Sequence, residues 1–175
     1  MSMRKALCAI TAMFIGGLLY ISSRSESLTM FRWFALMGLR EEVNAFRVVS
    51  RPYLSLLPGW IRFSLPQALW YFSGLLSFDC IWGATPSNCW KYRAWLTMFS
   101  GLAVGMELGQ YFRWVPGQFD IVDLTMLMVA WSAASIISSI DRRTVNEGFL
   151  AQGVRYAKTS GIFVVICLLG TTLDR

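Results

Sequence analysis

Histidine is absent from the 175-residue sequence. Its absence removes Ser-His and Cys-His nucleophilic pairs, imidazole general bases and His-ligated zinc. Charge is scarce as well. Asp, Glu, Lys and Arg make up 15% of the chain, against roughly 25% in soluble domains. The four cysteines, Cys8, Cys80, Cys89 and Cys167, show no CxxC spacing. Neither a disulfide framework nor a thiolate metal site is expected from them. No metal and no cofactor is expected from the composition. Disorder is excluded because 55% of the residues are hydrophobic and 15% aromatic.

What remains is a chain with mean hydropathy +0.50 and several long apolar runs. These features select an all-α, polytopic integral membrane protein, a helical bundle of about four to five transmembrane helices. Residues 1–23 read as an N-terminal transmembrane helix or signal anchor, apolar from Ala6 to Ile21 behind Arg4 and Lys5. Residues 24–65 read as an extracytoplasmic interfacial segment of one or two helices, broken at Pro52 and at Pro58-Gly59. Its six arginines interleave with Trp33, Tyr53 and Trp60, as at a headgroup layer. Residues 66–140 hold three spans, Pro66 to Gly83, Trp95 to Phe112 and Asp120 to Ile140. Residues 141–175 read as a cytoplasmic loop and a short C-terminal transmembrane helix, Ser160 to Leu173.

The formal charge is +6. Basic residues scattered among apolar runs speak against nucleic acid and for orientation of the spans. With the N-terminus cytoplasmic, Arg4, Lys5, Lys91, Arg93, Arg142, Arg143, Arg155 and Lys158 lie inside. Only Arg113 and Arg175 mark the outer short loops and tail.

One polar constellation stands out. Glu107 and Gln110 lie three apart near the end of the third span and share a helix face. A turn at Pro116-Gly117 and Gln118 follows, and then Asp120 and Asp123 open the fourth span. An antiparallel hairpin would gather these acceptors at one depth near the outer surface. Plain structural roles compete with function here. Asp120 and Asp123 suit an N-cap and a first-turn acid. Glu107 suits a pair with Gln110 or Arg113. An acid in the apolar layer costs about 2.5–3.5 kcal/mol on insertion scales and commonly marks a partner or a pathway. Trp70 and Trp114 are candidate aromatic contacts for a ligand. Asp79 is expected at the inner end of its span, near Lys91 or Arg93. The run Gly101-Leu-Ala103-Val-Gly105 favours close helix packing.

The hairpin resembles the VanZ-like membrane protein family. The resemblance rests on Glu107-x-x-Gln110, the turn, Phe119-Asp120-x-x-Asp123 and the earlier stretch from Leu65 to Tyr71, and it covers roughly residues 65 to 140. Gln118 stands where that family often has Arg, and Leu127 and Ala130 stand where it often has Asn and Gly. The resemblance implies a divergent member in a bacterial cytoplasmic membrane, from a family whose founding members are linked to low-level teicoplanin resistance. The leading expectation is a non-enzymatic accessory protein. Its partners would be membrane lipids, an envelope lipid-linked precursor or a membrane protein, met at the outer leaflet. The alternatives are a membrane enzyme using Glu107, Asp120 and Asp123 on a lipid-linked substrate, and a small proton-coupled transport component.

Overall fold

The computed structural model describes residues 3–26, 28–82, 89–115 and 118–144. Among them there are seven helices and no strand. They are α1 (Met3–Ser23), α2 (Thr29–Leu36), α3 (Arg40–Ser55), α4 (Gly59–Phe63), α5 (Leu65–Trp82), α6 (Cys89–Tyr111) and α7 (Ile121–Thr144). The expected turn at Pro116-Gly117 and the expected C-terminal helix, 160–173, lie outside the described residues.

The bundle is built around α5. Its apolar residues are spread around the whole circumference rather than along one stripe, the pattern of a helix enclosed on all sides. Twelve of its 18 residues are buried. Its most extensive contact is with α1, followed by α7, and α6 also lies against it. Leu75, Leu76 and Phe78 of α5 meet Ala9 of α1, Phe99 of α6 and Leu127 of α7 in one core. Consecutive α6 and α7 touch each other less than α7 touches α5.

Named contacts fix the direction of packing. Near one end Lys5 meets Asp79, midway Trp70 Nε1 donates to the Met13 carbonyl at 3.3 Å, and near the other Ser23 Oγ donates to the Arg62 carbonyl at 2.8 Å. α1 and α5 are therefore antiparallel. Close approach at the crossing depends on Gly16. A Cβ there would stand 2.8 Å from Trp70 Cδ1 and 3.1 Å from the Pro66 carbonyl oxygen. α6 is antiparallel to α5 as well, with Gln67 beside Glu107 at one end and a stack of Phe78, Trp82 and Trp95 toward the other. Between them Tyr71 and Ser100 share a hydroxyl hydrogen bond of 2.7 Å.

Three expectations are corrected. First, the cation paired with Asp79 is Lys5 of α1, which the sequence did not place beside it. The Asp79 carboxylate lies 2.6 Å from Lys5 Nζ, in a buried ion pair between α5 and α1. Antiparallel packing puts the start of α1 beside the end of α5, so a lysine read as a loop charge becomes an interior one. Second, residues 24–65 form three helices rather than one or two, and Pro52 does not break α3. Proline deprives the carbonyl four residues back of its donor, and Val48, at that position, is exposed. The break comes at Leu56 to Pro58. Third, the arginines of this segment are not all presented outward.

Arg47 is 1% exposed. Its Nη1 donates to the Ile21 carbonyl at 2.6 Å and its Nη2 to the Arg24 carbonyl at 2.8 Å, so it closes the C-terminal end of α1. A cation is favoured there by the helix dipole and by carbonyls that lack a donor. The guanidinium also lies 4.6 Å from the Phe31 ring centroid and 3.6 Å from Glu26. Burial and the nearby Arg51 lower its pKa from the ordinary arginine value, and Glu26 opposes them. The guanidinium stays protonated all the same, because arginine keeps its proton throughout the physiological range. Along α3, Val43, Arg47 and Ser50 turn inward at helical spacing, while Phe46, Val49 and Tyr53 are exposed.

Candidate functional site

The end of α6 and the start of α5 meet at one end of the bundle. Pro66 occupies the first turn of α5, where its missing N–H is not needed. The next residue, Gln67, faces α6 and donates from Nε2 to Glu107 Oε1 at 3.1 Å. Glu107 is 1% exposed and Gln110 is 5% exposed. The i, i+3 spacing read from the sequence therefore does put two acceptor side chains on one buried face. Gln110 Oε1 is buried and accepts no hydrogen bond among the described residues.

α6 ends in a Schellman motif. The Trp114 N–H donates to the Gly109 carbonyl at 2.8 Å and the Arg113 N–H to the Gln110 carbonyl at 3.1 Å. Arg113 takes the left-handed position at φ 60°. The same motif closes α2, where Leu39 donates to the Phe34 carbonyl and Gly38 stands at φ 76°. Glycine carries no Cβ penalty in that conformation and arginine does. Replacing Arg113 by glycine should therefore stabilise the fold by about 0.5–1 kcal/mol. Thermal unfolding in detergent measures this, and an unchanged or lowered midpoint would contradict it.

Beyond the motif the site changes character. Gln118 and Asp120 are exposed, and Asp123 is half-buried. Asp120 is the N-cap of α7, its Oδ1 accepting from the Val122 N–H at 2.8 Å. Asp123 sits in the first turn of that helix, where a negative charge is favourable. The rings of Tyr111 and Phe119 meet at 5.3 Å and tie the end of α6 to the approach to α7. The expected constellation is thus one neighbourhood with two environments. Glu107 and Gln110 are interior, and Gln118 and Asp120 are at the rim. Glu107, Asp120 and Asp123 do not gather into a three-ligand metal group among the described residues.

The two tryptophans separate in the same way. Trp70 is 2% exposed and its surface is taken up by α1, including Gly16 and the Tyr20 ring at 5.0 Å. Trp114 is 81% exposed and stacks on Phe112 at 5.1 Å, with exposed Tyr111 alongside. Gln67 is the site residue the sequence reading missed. It was legible only as a polar residue in the first turn of an apolar helix, and its partner is 40 residues away. Among the described residues two helices are long and apolar enough to cross a bilayer, α1 and the Ile121–Ser138 part of α7. No known protein family matches the chain, and neither a curated protein nor a solved structure does.

Proposed function

We propose that this chain is a divergent VanZ-like, multi-pass protein of a bacterial cytoplasmic membrane. In this reading it binds an envelope lipid or membrane partner at the outer leaflet without transforming it. The observation that carries the reading is Glu107, an acid buried in the bundle and held by Gln67 from the neighbouring helix. Acids survive in such places chiefly where they serve a partner or a pathway.

A bilayer setting is supported by what the helices expose. Only 28% of the apolar window of α1 and 22% of that of α7 is buried. Leu7 and Phe14 of α1 and Met128, Val129 and Ile136 of α7 point outward. Soluble monomers rarely expose contiguous apolar surface of this extent. α3 adds the same inversion, with Arg47 inside and Val48, Val49 and Tyr53 outside. In a bilayer α5 and α6 would complete the crossing. Their polar residues Gln67, Asp79 and Glu107 meet protein rather than lipid, so neither helix needs the apolarity of a lipid-facing span. Exposed Tyr111, Phe112 and Trp114 suit the headgroup layer. The excess of basic residues around the opposite end favours a cytoplasmic N-terminus.

Glu107→Gln tests the reading, because glutamine keeps an acceptor for Gln67 and nearly the same shape while removing the charge. The variant should accumulate normally and unfold within about 1 kcal/mol of the wild type. It should lose the lipid or partner that co-purifies with the wild type in mild detergent, as identified by mass spectrometry. A variant that is depleted from membranes, yet retains the same bound species, would assign Glu107 to packing instead.

A further inference from the structure

We propose that Gln110 and Glu107 receive the primary ammonium of an aminophospholipid headgroup, with Arg113 meeting its phosphate. This inference rests on the outer-leaflet binding reading above and specifies its ligand.

The requirement for a donor comes from Gln110. Its Oε1 is buried without a hydrogen bond among the described residues, and the residue is more than nine-tenths buried. Such an acceptor calls for an incoming N–H or O–H. Glu107 lies one turn earlier on the same face and brings a carboxylate, so a cationic donor is favoured over a neutral one. A divalent metal fits poorly. Calcium and magnesium take about six or more oxygen ligands, and no three-ligand group forms among the described residues. A quaternary ammonium fits poorly too, because it has no N–H to give.

The surroundings point to a lipid as the source. Arg113 is exposed, follows Gln110 by three residues and is held in a left-handed conformation at the helix end. In a phosphoethanolamine headgroup the phosphate stands two carbons from the ammonium. An anion-binding guanidinium one turn from the ammonium site matches that order of charges. Phe112 and Trp114 flank Arg113 in sequence, and their stacked, exposed rings offer apolar surface for the glycerol and upper acyl region.

The test uses the full chain in mild detergent. It is offered equal amounts of phosphatidylethanolamine, phosphatidylcholine and phosphatidylglycerol with identical acyl chains, and retained lipid is counted by native mass spectrometry. The wild type should retain phosphatidylethanolamine over phosphatidylcholine by about tenfold, the scale of one charge-assisted hydrogen bond. Gln110→Leu should remove most of that preference and leave phosphatidylcholine retention unchanged, whereas Arg113→Gln should lower retention of both lipids, because they share the phosphate. Equal retention of the two lipids by the wild type overturns the proposal. If both are nevertheless lost from Glu107→Gln, only the ammonium assignment fails and outer-leaflet binding stands. If no lipid or partner responds to Glu107→Gln, both readings fail. Soluble phosphoethanolamine that displaces the lipid at equal concentration would overturn the lipid as source. Should Gln110→Leu not fold, the wild-type comparison and Arg113→Gln still decide.

Discussion

Asp79→Ala is expected to destabilise the protein by about 3–5 kcal/mol, the cost of leaving one charge of a buried pair without its partner. Lys5 Nζ and Asp79 Oδ2 stand 2.6 Å apart, with side chains 8% and 1% exposed. Lys5→Ala should cost a similar amount, because the stranded group is then the carboxylate. The double variant Lys5→Met, Asp79→Leu should recover most of the loss, since apolar residues of similar volume remove both desolvation penalties together. Unfolding in detergent, followed by tryptophan fluorescence, measures all three. Single variants as stable as the wild type would show that the pair is not formed. Single and double variants equally unstable would show that lost packing, not charge, sets the effect. The same contact makes α1 part of the bundle. Without α1, Asp79 would be buried without this cation, Trp70 Nε1 would lose the Met13 carbonyl, and Arg47 would lose the Ile21 carbonyl.

Arg47→Ala should cost nearly as much, about 3–4 kcal/mol. Two charge-assisted hydrogen bonds are lost at roughly 1.5–3 kcal/mol each, partly offset where water reaches the freed carbonyls. Arg47→Lys should recover little. An ammonium is a compact point donor, whereas the planar guanidinium reaches the Ile21 and Arg24 carbonyls from two nitrogens while lying over the Phe31 ring. The loss should be local at first. Hydrogen exchange should rise in α2, α3 and the last turn of α1 before it rises in α5. Exchange that rises uniformly would assign Arg47 to the core of global stability, and no change at all would remove it from the C-cap of α1.

Much of the helical order was legible because apolar run length and its interruptions are local properties. The starts of α5 at Leu65-Pro66 and of α7 after Asp120 fell within a residue of expectation, since proline in a first turn and an aspartate N-cap act over only a few residues. α6 begins six residues before the expected Trp95. Its first two turns carry Lys91 and Arg93, and apolarity alone does not reveal a helix that extends past the apolar layer into polar surroundings. In the candidate site, the shared face of Glu107 and Gln110 was legible from i, i+3 spacing, as was the capping role open to Asp120. The division into a buried pair and an exposed rim was not. Nor was the role of Trp70, which spacing cannot distinguish from a ligand contact.

By itself the sequence determined the helical class, the absence of imidazole chemistry and the place of the polar hairpin within an apolar chain. Each follows from composition or from residues a few positions apart. Only the tertiary structure decided which polar groups meet. Lys5 finds Asp79 across 74 residues, Gln67 finds Glu107 across 40, and Arg47 finds the Ile21 carbonyl across 26. Partner choice depends on the direction and rotation of packed helices. Those are set by shape, as where Gly16 admits Trp70, and no local spacing in the chain encodes that shape.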